Sequence, residues 1–164
     1  MKVSIRFAKP SQAGKIAKLI NSESKKSGAV MEVTEDEAKR WIKNRNSVVA
    51  MHGGVVIGHE ALNTWPECGW VELRSAVVKA EFRGKGIGYM LAKKLISRHM
   101  KKNMTITFIS IKRDAGKGAG ILSALGFEEV SMDEIPGELF SVGRSRDMRK
   151  AFRLDTDGSH RRQD

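Results

Sequence analysis

One cysteine, three prolines and a single tyrosine in 164 residues remove several classes of answer at once. The lone thiol, Cys68, excludes an internal disulfide and any cysteine-based zinc cluster. It lies in Trp65-Pro66-Glu67-Cys68-Gly69 with no histidine nearby in sequence, so it lacks the base that a catalytic thiolate needs. His52, His59, His99 and His160 show no ligand spacing, and no metal site is expected. No apolar run approaches the length of about 18 residues that a membrane helix needs. Met1-Lys2-Val3-Ser4-Ile5-Arg6 enters an alternating pattern without the apolar stretch of an export signal, so a cytoplasmic protein without a membrane partner is expected. Aromatic residues, at 6%, are too few for a platform that stacks single-stranded nucleic acid.

Positive charge is what the chain has in excess. Thirty Lys and Arg against 19 Asp and Glu give a formal charge of +11, which favours polyanions or a highly anionic cofactor and reads equally as a solvated surface. The length suits one domain with a proper core. We expect a single domain over 1–143 and a basic C-terminal extension over 144–164. In that extension Met148 and Phe152 stand at helical spacing, which suggests a short terminal helix. Asp155 to Asp164 has too little apolar surface to offset its ordering entropy, so part of the extension is expected to be disordered.

Val3, Ile5 and Phe7 alternate as in a strand, and Ala13, Ile16, Ala17 and Ile20 recur at helical spacing, with the polar stretch from Asn21 to Gly28 predicted to close that helix. Thr34-Glu35-Asp36-Glu37 has the form of a capping box and predicts a second helix through Ala38, Trp41 and Ile42. Ser47 to Met51 and Val55 to Leu62 read as a hairpin around His52-Gly53-Gly54. Trp70 to Val78 follows as a long strand, with Val71, Leu73, Ser75 and Val77 on one face and Glu72, Arg74, Ala76 and Val78 on the other. A helix carrying Ile87, Met90, Leu91 and Leu95, a strand from Thr105 to Ile111, a helix from Lys117 to Ala124 and a strand from Phe127 to Met132 complete a mixed α/β order.

Between the long strand and its helix lies Phe82-Arg83-Gly84-Lys85-Gly86-Ile87-Gly88. Glycines at 84, 86 and 88 allow close backbone approach, Arg83 and Lys85 add charge, and the helix start offers unpaired N–H groups to an anion such as a diphosphate. The turn lacks the Gly-Lys-Ser/Thr ending of a nucleoside triphosphate loop, and no acidic residue ends a second strand where a dinucleotide ribose would need one. Arg83, Gly86 and Gly88 instead match Arg/Gln-x-x-Gly-x-Gly/Ala, which resembles the acetyl-coenzyme A signature of the GNAT superfamily of N-acetyltransferases. Ala76 to Phe82 resembles the segment leading into that signature, and Leu125-Gly126-Phe127 resembles a second mark of the family.

The resemblance spans roughly Val3 to Met132 and implies an α/β (α+β) fold: a mixed, mostly antiparallel central sheet flanked by helices on both faces. It implies acetyl-coenzyme A as acetyl donor, held by Ala76, Val77, Val78, Arg83, Gly84, Lys85, Gly86, Ile87 and Gly88, and direct attack by a primary amine without an acetyl-enzyme. Glu72 matches the strand glutamate that takes the amine proton in several members, and its plainer reading is an ion pair with Arg74. Glu72-Leu73-Arg74-Ser75 also resembles the corresponding strand of the acetyltransferase domain of N-acetylglutamate synthase, which implies that Arg74 clamps an acceptor carboxylate and that the acceptor is a small amino acid. The position at which many members carry a thiolate-protonating tyrosine is Leu122 here, which leaves Tyr89 or water for that step. Two other readings follow from the charge and from the missing tyrosine. One is transfer to aminoacyl-tRNA or protein; the other is a non-catalytic protein that binds acetyl-coenzyme A or a polyanion. A homodimer is left open.

Overall fold

The computed structural model describes residues 2–27, 32–99, 104–111, 115–139 and 149–156. Contacts divide the chain into two compact units, Met1–Asn63 with Arg74–Ser97, and Thr64–Leu73 with Arg98–Asp164.

In the first unit, β1 (Ser4–Phe7) pairs antiparallel with β2 (Ser47–His52), which turns through Gly53-Gly54 into β3 (Val55–Trp65). The helices α1 (Ala13–Ser27) and α2 (Glu35–Lys43) bury Ile16, Leu19, Ile20, Trp41 and Ile42 in one core with Val49, Met51, Val56, Ala61 and Val77. Each buried Ile, Leu, Val or Met side chain among them contributes roughly 1.5–3 kcal/mol by leaving water. Ala50 and Gly58 alternate onto the opposite face, where a Cβ at Gly58 would stand 3.2 Å from Leu91 of α3 (Ile87–His99). Helices thus cover both faces of these strands. The predicted capping box opens α2: Thr34 Oγ1 accepts the Glu37 N–H at 3.1 Å, and Glu37 accepts the Thr34 N–H at 2.8 Å.

In the second unit, Trp70–Leu73, the first half of β4 (Trp70–Val78), pairs parallel with β5 (Thr105–Ile111). After α4 (Ala115–Ala124), β6 (Glu128–Val130) pairs with β7 (Arg149–Asp155), which also lies antiparallel to β5. Ile109, Ile135, Leu139 and Ala151 form the core here, with Trp65, Cys68 and Trp70 against it. The strand order β1-β2-β3-β4-β5-β7-β6 makes a seven-stranded, mostly antiparallel sheet, the mixed α/β class that the sequence predicts.

Helix α1 runs to Ser27, within the polar stretch predicted to close it, and two other expectations need correction. The Asn21 side chain serves both polar groups of Val33, donating to its carbonyl at 3.0 Å and accepting its N–H at 2.8 Å, instead of competing for the helix backbone. Strict alternation along β4 fails at Ser75, whose φ of 53° is left-handed and interrupts the pleat, so the two expected faces do not continue past it. Residues 149–155, expected to lie in a helical extension beyond the domain, form β7, whose backbone groups are paired on both sides by β5 and β6. Pairing overrides the helical spacing there. Residues 144–148 and 157–164, and with them most of the expected disordered tail, lie outside the described residues.

Candidate functional site

The glycine turn joins β4 to α3 within the first unit. Gly84 and Gly86 adopt φ of 72° and 73°, a conformation in which an L side chain is strained, and no atom stands within 4 Å of where their Cβ atoms would be. The Met90 N–H reaches the Gly86 carbonyl at 3.1 Å, so the amides of Ile87, Gly88 and Tyr89 fall in the first turn and have no acceptor on the helix itself. Open space above two left-handed glycines, first-turn amides and the positive end of α3 together fit a diphosphate.

Arg83 does more than add charge. Its Nε donates to the Val78 carbonyl at 2.9 Å and its Nη2 donates to Glu23 Oε2, so α1 orients the guanidinium while the rest of its donors stay available. Glu23 has a side chain only 4% exposed and also binds Lys26 at 2.9 Å. The Lys85 ammonium reaches the Glu81 carbonyl at 3.2 Å and stands over the Phe82 ring.

Upstream of the turn, β4 carries the segment predicted to hold the pantetheine arm. Ala76 is exposed, Val77 is buried and Val78 is half-buried, so backbone and side chains can serve ligand and core separately. The Ser75 carbonyl accepts from His59 Nδ1 at 3.2 Å, and His59 Nε2 lies 3.0 Å from Ser47 Oγ. Burial drives the His59 pKa down to about 4, with the Ser75 carbonyl pulling weakly the other way. Next to it, burial pushes the Glu60 carboxyl up to about 8.

The first unit therefore brings together Arg74, Ala76, Val77, Val78, the whole turn from Arg83 to Gly88, and Tyr89. Glu72 belongs to the second unit, 2% exposed and opposite Thr107 in the β4–β5 ladder. Tyr89 is half-buried in the first turn of α3, directly after the glycine turn, with the Lys93 ammonium 5.6 Å from its ring centre. Leu122 is a buried residue of α4. Sequence reasoning missed Glu23, His59 and Glu60. Two adjacent ionisable residues inside the apolar run Val55 to Leu62 were a readable signal for the latter pair; Glu23 sits in a polar stretch that offers none. Among the described residues, no group of His, Cys, Asp and Glu could hold a metal ion, and no helix is long and apolar enough to cross a membrane.

The sequence model of the acetyltransferase (GNAT) family matches residues 16–127. No curated protein matches the chain. Among solved structures, N-acetylglutamate synthase from Neisseria gonorrhoeae, complexed with coenzyme A and N-acetyl-glutamate, is similar at a TM-score of 0.76 and 21% identity over 95% of this chain. This chain spans only 35% of that synthase. The yncA protein of Salmonella typhimurium, with its cofactor acetyl-coenzyme A, aligns at a TM-score of 0.73 and 23% identity over 100% of this chain and 99% of that one. Diaminobutyrate acetyltransferase from Paenibacillus lautus, in complex with L-2,4-diaminobutyric acid and coenzyme A, aligns at 0.69 and 14% identity, covering 94% and 95%. At these identities the likeness is one of fold.

Proposed function

Since the chain belongs to the GNAT family of acetyltransferases, we propose that it moves an acetyl group from acetyl-coenzyme A to the primary amine of a small molecule, an amino acid being the favoured class. The observation that carries this reading is the turn from Arg83 to Gly88, where left-handed glycines, open space and first-turn amides meet at the start of α3. Neighbours that hold N-acetyl-glutamate or diaminobutyric acid support an amino acid acceptor, as does a guanidinium at Arg74 suited to a carboxylate.

When bound, acetyl-coenzyme A supplies a thioester carbon open to amine attack. The turn grips the diphosphate, and backbone amides from Ala76 to Val78 hold the arm and polarise the carbonyl. An amine with a pKa of about 10 must lose a proton first, and Glu72, buried at 2% exposure, is the residue we propose to accept it. Of the two sources for the proton that the thiolate would need, water is favoured, because Tyr89 stands in the first turn of α3 beside the proposed diphosphate grip, at the other end of the arm from the sulfur. A thiol pKa of about 8.5 makes a dedicated acid helpful and not compulsory, which accommodates Leu122. The charge of +11 keeps transfer to aminoacyl-tRNA as a second reading.

Calorimetry with acetyl-coenzyme A, joined to a thiol-release assay over amino acids, polyamines, peptides and aminoacyl-tRNA, tests the proposal. Binding with turnover of an amino acid is the expected result, and absence of binding refutes it. Glu72→Gln should lower kcat roughly 10²-fold or more with coenzyme affinity unchanged. Full activity in that variant removes Glu72 as the base.

A further inference from the structure

Ser75 holds a φ of 53° inside a strand, although the conformation costs an L-residue roughly 1–2 kcal/mol. Such a residue persists where its surroundings over-determine it. Here the surroundings are specific. His59 on β3 is fully buried, with Nδ1 3.2 Å from the Ser75 carbonyl oxygen. A carbonyl only accepts, so Nδ1 carries the ring proton. Neutral imidazole then has a lone pair at Nε2, which accepts a hydrogen bond from the hydroxyl of Ser47, a residue 1% exposed on β2. The Trp41 ring of α2 lies 5.8 Å from the imidazole centre, tilted by 31°, and is itself anchored by Nε1 donating to Asn63 Oδ1 at 2.9 Å. Proton position and ring plane are thus both fixed.

A trans peptide is planar, with C=O and N–H antiparallel. Holding the Ser75 carbonyl on His59 therefore turns the Ala76 N–H away from His59, at a residue that is exposed and that follows the Trp70–Leu73 stretch laddered with β5. We propose that His59, buttressed by Ser47, is a positioning residue: it sets the Ser75–Ala76 peptide so that the Ala76 N–H faces the acyl arm of the cofactor. The inference rests on the acetyl-coenzyme A reading above. It explains why an apolar strand spends a buried histidine on a carbonyl, and why a serine hydroxyl is sealed behind that ring.

Three variants and two ligands test it. His59→Phe keeps ring and burial but removes the donor, His59→Asn keeps an N–H near the Nδ1 position, and Ser47→Ala leaves the ring without its buttress. Calorimetry compares acetyl-coenzyme A with 3′-phosphoadenosine 5′-diphosphate, which engages the turn but has no arm. In His59→Phe, affinity for acetyl-coenzyme A and kcat should fall about tenfold or more while the fragment binds as before; His59→Asn should recover most of the loss, and Ser47→Ala should fall between. The ¹⁵N spectrum of the wild-type imidazole should show a protonated Nδ1. A proton on Nε2, unchanged acetyl-coenzyme A affinity and kcat in folded His59→Phe, or equal weakening toward both ligands overturns the inference. If wild-type protein binds both ligands but acetylates no amine, the transferase reading falls, and the difference in affinity between the ligands still decides the role of His59.

Discussion

Neighbours on β3, His59 and Glu60 carry opposite linkages between folding and pH, and Glu60→Gln separates them. Burial raises the Glu60 carboxyl from an ordinary 4.5 to about 8, so the folded chain keeps a proton there that the unfolded chain releases. That contribution is complete below 4.5 and is lost as pH rises through 8. His59 falls from 6.5 to about 4, so the unfolded chain takes up a proton that the folded one refuses. Its contribution is complete above 6.5 and is lost as pH falls through 4. Each group changes stability by about 1.4 kcal/mol per pH unit within its window. The slopes cancel from 4.5 to 6.5, and Glu60 alone lowers stability by about 2 kcal/mol between 6.5 and 8.

Gln fills the same space without ionising. Urea denaturation of both proteins at intervals from pH 5 to 8.5 gives a difference curve from which every other titrating group drops out to first order. The stability of Glu60→Gln relative to wild type should climb steadily with pH, by about 2 kcal/mol over the last 1.5 units below pH 8. A flat difference curve would mean that Glu60 is hydrated or paired in solution, and the assignment of a neutral buried carboxyl would be wrong.

Glu23→Gln should weaken coenzyme A about fivefold, measured by calorimetry, because Arg83 loses the charged partner that orients it; tighter binding would show that Glu23 restrains Arg83 from phosphate. Thr34→Ala removes the side-chain acceptor of the Glu37 N–H and should cost about 1 kcal/mol in denaturant titrations, with coenzyme affinity unaffected.

The turn was legible in the sequence because its chemistry is written in residue types: glycines where the backbone is left-handed, then an apolar period that starts a helix. The capping box at Thr34 was legible for the same reason, since both partners lie three residues apart. What could not be read depends on contacts distant in sequence. Ser75 has no local signature of a left-handed residue, and its conformation is held by His59, sixteen positions away. The Glu23 carboxylate reaches Arg83 across sixty positions, and nothing in Asn21 to Ser27 marks one polar residue as buried. β7 was hidden because Arg149 to Asp155 alternates weakly, and pairing with two neighbours decides its conformation.

Burial makes both ionisable side chains of β3 uncharged near neutrality, the imidazole by losing its proton and the carboxyl by keeping one. A charged His59 would share the positive sign of Arg83 and Lys85, and an ionised Glu60 would oppose them with little solvent to screen it. Neutrality removes both effects, so neither side chain adds to or offsets the charge of Arg83 and Lys85, the first of which is held by a buried glutamate. A strand with this arrangement can supply hydrogen-bond geometry to its neighbour without altering the electrostatics by which an anionic cofactor would be held.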